Sequence, residues 1–234
     1  MIKRKRLGQH FLNSEEIAKS IVSEAQITKN DVVFEVGTGL GILTPLLCEK
    51  AKKVISIEAD KELYQKAKLR FSGIDNLFLD LGDGFKNKHI FSIFVSNLPY
   101  SQSKEAIEWL AQTNFSHGVI MVQKEFAEKL VTTSPKIRRS VSIIANHTMD
   151  IEKSFDVKKI NFSPSPQVDS VILKIVKKQT IDKNLIETIN KIFSYRRKTL
   201  RNIFKQFGKE TMIEKRLDEF SGDEIVNLAK EILN

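Results

Sequence analysis

Residues 31–51, DVVFEVGTGLGILTPLLCEKA, decide the fold. The apolar run 31–36 predicts a buried strand, and a glycine follows at every second position from 37 to 41. Residues 42–51 then predict a helix, with Pro45 in its first turn, where a missing N–H costs little. Because a strand that passes through glycines into a helix lets backbone N–H groups approach a ligand, this stretch predicts the first strand and binding loop of an α/β sheet.

Strand and helix patterns alternate along the chain on both sides of residues 31–51. Helices are predicted at 13–25, 61–71, 104–113, 124–131 and 139–147, and strands at 53–59, 77–81, 91–96 and 118–123. Short apolar strands that alternate with amphipathic helices predict a parallel sheet with helices on both faces. Two further runs, 153–157 and 170–176, are expected to pair as an antiparallel edge, with a proline-stiffened loop between them.

The last quarter of the chain has a different pattern. From about residue 180 no strand-like run remains, and helices are predicted at 184–204, 209–220 and 222–233. A chain of 234 residues accommodates one large domain or one domain with a small appendage. We therefore expect a sheet domain over residues 1–178 and a small helical domain over residues 179–234.

Composition excludes several classes of protein. The single Cys48 excludes an internal disulfide and a cysteine-based metal site, and the four histidines lack zinc-ligand spacing, so no metal is expected. No run of about 18 apolar residues is present, and the basic residues 3–6 precede no apolar segment, so we expect neither a membrane span nor a secretory signal. A cytoplasmic monomer is the expectation.

Net charge indicates the kind of partner. Lys and Arg number 38 against 29 Asp and Glu, a formal charge of +9, which favours an anionic partner such as nucleic acid. The segment 191–205, KIFSYRRKTLRNIFK, contains six cations and no acid, and it is predicted to lie on one helix. Helical spacing would place Arg197, Lys198 and Arg201 on one side. This basic segment, which also contains Arg196, is either a solvated surface or, as we favour, a contact for the phosphate backbone of a nucleic acid.

Three acids stand at the ends of three successive predicted strands: Glu35, Glu58 and Asp83. Ligands of open α/β sheets bind at those strand ends. A carboxylate at 35 suits a cationic amino-acid group, one at 58 can bind ribose hydroxyls, and one at 83 can accept from an adenine amino group. The three together indicate S-adenosylmethionine (SAM). The glycines alone would also be consistent with a plain tight turn.

The fourth strand is followed by Asn97-Leu98-Pro99-Tyr100. The exocyclic amine of adenine is a poor nucleophile, because its lone pair delocalises into the ring. The Asn97 side-chain oxygen and the Leu98 carbonyl can accept hydrogen bonds from that amine and localise the pair. Pro99 stiffens the turn, and Tyr100 offers a ring on which a base can stack. An ordinary Asn-Pro turn beside a core tyrosine is the alternative.

Six motifs in order resemble those of the ribosomal RNA adenine N6,N6-dimethyltransferases, the KsgA type, to which the Erm resistance methylases are related. The resemblance covers nearly the whole chain. Its motifs are Gln9–Asn13, Glu35–Gly41, Asn97–Tyr100, Gln123–Glu125, Phe162–Ser170 and Arg196–Asn202. It implies a Rossmann-like class I SAM-dependent methyltransferase sheet. Ser101-Gln102-Ser103 departs from the usual Asn-Ile-Ser.

The resemblance also implies roles for individual residues. SAM contacts are expected at Gln9, His10, Leu12, Glu35, Gly37, Gly39, Glu58, Asp83 and Asn97. Tyr100 and Phe162 would sandwich a target adenine that has left its stack. For His10 and Leu12 plain packing on the sheet is the alternative, and for Phe162 an aromatic loop plug.

The implied activity is SAM-dependent dimethylation of N6 of two adjacent adenosines in a 3′-terminal hairpin of small-subunit (16S-type) ribosomal RNA, during ribosome biogenesis. The expected partner is that RNA or the pre-ribosomal small subunit. Two alternatives remain open: an Erm-type adenine N6-methyltransferase that acts on large-subunit RNA, and a non-catalytic ribosome assembly factor that kept the fold. The second would predict an incomplete SAM site.

Overall fold

A computed structural model describes residues 9–86 and 88–234 of the chain. The basic residues 3–6 lie outside the described residues. Within the described part, no helix is long and apolar enough to cross a membrane.

A seven-stranded sheet forms the centre of the molecule, with strand order β4-β3-β2-β5-β6-β9-β7. Its strands are β2 (Val32–Val36), β3 (Lys53–Glu58), β4 (Leu77–Leu81), β5 (Ile93–Asn97), β6 (His117–Gln123), β7 (Met149–Val157) and β9 (Ser170–Lys177). The first five strands in that order are parallel, so the predicted parallel sheet is confirmed.

The predicted antiparallel edge is also confirmed. β9 lies antiparallel between β6 and β7, and β7 begins at Met149, four residues earlier than the expected 153. The register of β7 against β9 shifts between Lys153 and Asp156, which indicates a bulge. Exposed charges interrupt the first half of β7, and this explains why apolar patterning detects only its second half.

Helices cover both faces of the sheet. They are α1 (Glu15–Glu24), α2 (Thr44–Lys50), α3 (Lys61–Arg70), α4 (Ser103–Gln112), α5 (Lys124–Val131), α6 (Ser140–Thr148), α7 (Lys183–Ser194), α8 (Leu200–Lys205) and α9 (Gly222–Leu233). One apolar cluster joins the sheet to α4, α5 and α6, and a second joins its other face to α1 and α2. The two-faced α/β architecture is therefore as predicted.

A short two-stranded ribbon was not predicted. β1 (Phe11–Leu12) pairs antiparallel with β8 (Phe162–Ser163), and the Asn13 N–H donates to the Asn161 carbonyl at 2.9 Å. Two-residue strands carry no periodicity, so sequence patterning cannot detect them. The ribbon brings the N-terminal segment next to a loop about 150 residues later.

The last helices share a core with the sheet part. Ile143 and Ile144 of α6 and Ala111 of α4 are buried in one apolar cluster with residues of α7, α8 and α9. A common core explains how so short a helical segment is stabilised. The boundary between 178 and 179 stays a prediction.

The single basic helix predicted across 191–205 is wrong. α7 ends at Ser194 and α8 begins at Leu200, so Arg196, Arg197 and Lys198 lie in the intervening turn, whereas Lys191, Arg201 and Lys205 are helical. The N–H groups of Leu200 and Arg201 donate to the carbonyls of Lys215 and Ile213 at 2.8 and 2.9 Å. These bonds to a distant segment replace the ones that a continuous helix would need.

The helix predicted at 209–220 is also absent. The described residues there form only a single 3₁₀ turn, Leu217–Glu219. The carbonyls of Ile213 and Lys215 accept from α8, and this requires an extended chain. Tertiary hydrogen bonds therefore override the local helical preference of this segment.

We expect Gly41→Ala to destabilise the fold by about 1–3 kcal/mol. Gly41 has a φ of +72°, and an added Cβ would overlap the ring of Phe71 behind the glycine loop. Urea denaturation measures the change. Gly73→Ala is the matched control, because a Cβ there meets nothing within 4 Å. Equal effects at both positions would contradict this account.

Candidate active site

A cavity of about 310 Å³ lies at the carboxyl ends of β2, β3, β4 and β5. Ligands of open α/β sheets bind at this edge, because the strand ends and their loops converge there. Ten of the predicted site residues line the cavity: Gln9, His10, Leu12, Glu35, Gly37, Gly39, Glu58, Asp83, Asn97 and Pro99. Leu98, Tyr100 and Phe162 do not line it.

Glu58 holds the glycine loop in place. Its Oε2 accepts from the Gly39 N–H and its Oε1 from the Asp60 N–H, both at 2.8 Å. Gly39 has a φ of +59°, a backbone conformation that favours glycine. Burial raises the pKa of Glu58, and the backbone N–H groups of Asp60 and Gly39 oppose that rise. Each carboxylate oxygen has a second lone pair, so Glu58 can still accept from two ribose hydroxyls.

Glu35 lies beneath the same loop and is 1% exposed. Its Oε2 accepts from Ser56 Oγ at 2.6 Å and from Thr44 Oγ1 at 2.8 Å, and Ser56 Oγ also contacts Thr38 Oγ1 at 2.6 Å. Burial raises the pKa of Glu35 to about 7 despite these hydroxyl donors. The carboxylate is thus held by neutral groups and lacks a cationic partner among the described residues.

Sequence reasoning missed this hydroxyl network. Ser56 is a buried polar residue in the middle of the apolar strand β3, and that contrast was the available signal. Asp60 also lines the cavity and caps α3, since its Oδ1 accepts hydrogen bonds from the Glu62 and Leu63 N–H groups. Phe11, Ser101 and Gln102 also line the cavity without having been singled out as cofactor contacts.

Asp83 is at the rim of the cavity. Its Oδ1 accepts from the Phe85 N–H at 3.0 Å, and its Oδ2 pairs with Lys86 Nζ at 3.1 Å. The side chain is 39% exposed, so it contrasts with the two buried glutamates. An exposed carboxylate at this end can accept from an adenine amino group without a large desolvation cost.

The N-terminal segment forms one wall of the cavity. Gln9 Oε1 is buried and has no hydrogen-bond partner among the described residues. The Phe11 ring lies where a Cβ on Gly39 would contact it at 3.5 Å. An unpaired buried acceptor is costly unless a ligand supplies a donor, so Gln9 marks a place for a donor group of a ligand.

Asn97 is the last residue of β5 and lines the cavity, and no hydrogen bond within the described residues engages its side chain. Leu98 is 2% exposed and packs into the core, so its side chain anchors the turn. After Pro99 the chain forms a 3₁₀ turn, Tyr100–Gln102. The Asn97 amide is therefore free to engage a ligand from a rigid support.

Tyr100 and Phe162 are placed differently from the predicted sandwich. The Phe162 ring is 3% exposed and packs in the cluster that includes Leu12 and Val157. The ring stacked on Tyr100 is that of His10, with centroids 5.4 Å apart, and His10 Nδ1 lies 2.8 Å from the Pro164 carbonyl. Stacking of a base between Tyr100 and Phe162 stays a prediction, and it requires the β1–β8 ribbon to move.

The chemistry of the cavity fits SAM. Its methionyl ammonium and sulfonium are cations, its ribose offers two hydroxyl donors, and its adenine offers an amino donor. The cavity supplies matching acceptors in Glu35, Glu58, Asp83 and the unpaired Gln9 Oε1. When bound, SAM supplies a methyl group on a positively charged sulfur. The fold and the cavity together define a class I SAM-dependent methyltransferase.

Comparison with known proteins gives the family. The family model described as "Ribosomal RNA adenine dimethylase" matches residues 2–232. The chain is 34% identical to Ribosomal RNA small subunit methyltransferase A of Thermotoga neapolitana, over 96% of this chain and 90% of that protein. It is also 34% identical to the protein of that name from Malacoplasma penetrans, over 93% and 83%. The chain belongs to the ribosomal RNA adenine dimethylase family.

Solved structures agree with this assignment. A dimethyladenosine transferase from Plasmodium falciparum superposes with a TM-score of 0.79 at 27% identity, covering 96% of this chain and 98% of that one. The 23S rRNA methyltransferase ErmE superposes with a TM-score of 0.66 at 19% identity, covering 96% and 100%. The second likeness shows the shared fold alone.

A second cavity, of about 250 Å³, lies between the loop that precedes α6 and the C-terminal segment. Five cations and one acid are among its lining residues: Lys136, Arg138, Arg196, Arg197, Arg216 and Asp218. The guanidinium of Arg138 donates to the Phe220 carbonyl at 2.6 Å, and its Nε is buried without a partner among the described residues. Arg201 points elsewhere and pairs with Glu214 at 3.0 Å.

We expect the affinity for SAM to rise as pH increases from about 6 to 7.5, by up to about tenfold per pH unit below the pKa of Glu35. Burial raises that pKa to about 7, so the ligand-free carboxyl is largely protonated at pH 6 and must ionise to pair with the ammonium of SAM. Calorimetric titration in buffers of different ionisation enthalpy measures the proton released. Glu35→Gln should bind more weakly with a flat profile, and an equally steep profile in that variant would refute the assignment.

Proposed function

We propose that this protein transfers two methyl groups from SAM to N6 of each of two adjacent adenosines in a 3′-terminal hairpin of small-subunit ribosomal RNA. The observation that carries the proposal is the position of Asn97, an unpaired amide on a rigid turn that lines the same cavity as Glu35 and Glu58. Family membership and the small-subunit names of the relatives support the choice of RNA.

The tetrapeptide Asn97–Tyr100 prepares the adenine amine for its attack on the methyl group. Asn97 Oδ1 and the Leu98 carbonyl accept from the two N6 hydrogens, so that the nitrogen lone pair is directed at the methyl carbon. Bound SAM would supply the methyl group and keep the electron pair of the broken C–S bond on its sulfur, while Asn97 and Leu98 would hold the amine in line until one N6 proton is lost to solvent. Such an in-line displacement depends on positioning more than on a strong base, and Tyr100 supplies the stacking surface that orients the base.

The proposed SAM contacts are the residues predicted from the sequence. Glu35 and Gln9 would receive the ammonium end, Glu58 the ribose and Asp83 the adenine, while the glycine loop allows close approach of the backbone. His10 and Leu12 would close the N-terminal wall. An assembly factor that had lost catalysis would show gaps at these positions, whereas every predicted position carries a residue suited to its role.

The first experiment measures methyl transfer from labelled SAM to under-methylated small subunits, to large subunits and to free RNA, with nucleoside mass spectrometry of the products. Dimethyladenosine from small subunits is the expected result. The same product from large-subunit RNA would assign an Erm-type enzyme. Absence of transfer with SAM binding intact would support the assembly factor.

Replacement of Asn97 by Ala should lower the transfer rate at least about a thousandfold, because the amine loses an acceptor that localises its lone pair. RNA binding should change less than about twofold, which a filter-binding assay measures, because no cation is altered. The assignment fails if the variant loses RNA binding in the same proportion as activity.

We also propose that the second cavity and the turn 195–198 form the RNA-phosphate contact. This cavity lies at the seam between the loop before α6 and the C-terminal segment, and both sides of the seam contribute cations. Lys198 extends the same surface beside the Tyr195 ring. The predicted contact at Arg201 is weaker, since Glu214 already neutralises that guanidinium. A monomer in the cytoplasm, with residues 179–234 as a helical RNA-contacting domain, completes the proposal.

The double variant Arg196→Gln/Arg197→Gln should flatten the slope of log K against log salt by about 1.5, since each lost phosphate contact removes about 0.7–0.9. Equilibrium binding to the RNA between low and moderate salt measures this slope. Lys50→Gln/Lys52→Gln removes the same charge from two exposed lysines that line neither of these cavities, and it should leave the slope unchanged. If the two double variants have equal slopes of log K against log salt, the RNA phosphates do not contact Arg196 and Arg197.

A further inference from the structure

We propose that Ser170 is a positioning residue: its hydroxyl sets the tilt of the Tyr100 ring against which the target adenine stacks, and thereby controls the second methyl transfer. The inference rests on the proposed function. It assigns a role in the reaction to a residue that touches neither the cofactor cavity nor the phosphate contact.

The contact itself is short and enclosed. Tyr100 Oη and Ser170 Oγ lie 2.6 Å apart, joined by a hydrogen bond in which either hydroxyl can donate. Ser170 is 0% exposed, and burial raises the pKa of Tyr100. Because Ser170 is buried and Tyr100 is partly buried, each hydroxyl satisfies the other, and the hydrogen bond restricts the orientation of the ring.

The Ser170 side of this bond is rigid. Ser170 is the first residue of β9, where it pairs with Gln123 of β6 on one side and with Val157 of β7 on the other. The preceding residue is also held, because Asp169 accepts from the Lys159 N–H at 2.9 Å and its carbonyl accepts from the Lys124 N–H at 3.1 Å. The serine hydroxyl is therefore a fixed point of the sheet.

The tyrosine side has less support of its own. Tyr100 lies in a three-residue 3₁₀ turn, and its ring has one stacked neighbour, His10, at a centroid distance of 5.4 Å. A base that stacks on Tyr100 takes its plane from that ring. The hydrogen bond at the far end of the ring therefore orients the ring relative to the sheet, and the ring in turn orients the base.

A tilted ring would affect the two transfers unequally. Near-attack geometry tolerates only small displacements, and the N6-methyl product is bulkier than adenine and must return to the same pocket. A loosely held ring leaves the first transfer slower and the second slower still. The share of monomethyladenosine at a fixed total of methyl groups transferred therefore reports ring position, and it does not depend on how much of the enzyme is folded.

The test compares Ser170→Ala, Tyr100→Phe and the double variant on under-methylated small subunits, with thermal denaturation alongside. We expect each single variant to lower kcat about tenfold with an affinity for SAM within about twofold, and to raise the monomethyl share. The kcat of the double variant should be no lower than that of the slower single variant, because both substitutions remove the same hydrogen bond. Ser170→Thr, which keeps the hydroxyl, should restore the product ratio.

Ser140→Ala is the matched control. Ser140 is also buried and donates to Asn190 Oδ1 at 2.6 Å, so it tests the loss of a serine hydrogen bond of the same length between α6 and α7, away from Tyr100. Its product ratio should equal that of the wild type. If Ser170→Ala does not fold, Tyr100→Phe tests the same bond from the other side.

Several results would overturn the inference. An unchanged product ratio in Tyr100→Phe and Ser170→Ala would overturn it, as would additive losses in the double variant or a lowered melting temperature as the sole effect. These outcomes are distinct from failure of the proposed function, in which the wild-type protein itself would yield no dimethyladenosine.

Discussion

Two buried carboxylates at the ends of adjacent strands organise the cofactor end of the molecule. Glu58 accepts from the backbone N–H groups of Gly39 and Asp60, and Glu35 accepts from Ser56 and Thr44. An ionised carboxylate is costly to bury unless hydrogen bonds or a cation compensate. The surrounding loops supply the hydrogen bonds, and a cationic ligand supplies the remaining compensation. The same interactions therefore shape the glycine loop and leave two acidic side chains at the place where SAM is proposed to bind.

The site is closed by contacts between segments far apart in the chain. Phe11 and Leu12 pair with Ser163 and Phe162, and His10 contacts both the Pro164 carbonyl and the Tyr100 ring. The N-terminal segment, the tetrapeptide and the loop before β9 thus form one connected wall. His10 therefore connects the ribbon to Tyr100, the ring on which the target base is proposed to stack.

Acidic and basic side chains line different cavities of the molecule. The cavity at the strand ends presents Glu35, Glu58 and Asp83, whereas the seam with the C-terminal helices presents a cluster of cations. This separation is consistent with the proposal that a cationic cofactor and an anionic RNA bind at different places. Since phosphate contacts orient a nucleic acid and base contacts select within it, the seam is suited to docking and the tetrapeptide to recognition of the base.

The sequence by itself determined the parallel sheet, its antiparallel edge, the glycine loop and the acids at the strand ends, because apolar periodicity and turn chemistry are local properties. Seven of the ten predicted residues that line the cavity lie at the ends of parallel strands, which meet at one edge of the sheet; the other three belong to the N-terminal segment, which the β1–β8 ribbon places there. Only the tertiary structure decided the break at Arg196, the pairing of Arg201 with Glu214, the buried ring of Phe162 and the bond from Tyr100 to Ser170. Each of these depends on partners 13 to 150 residues away or on burial, and local patterning contains no information about either.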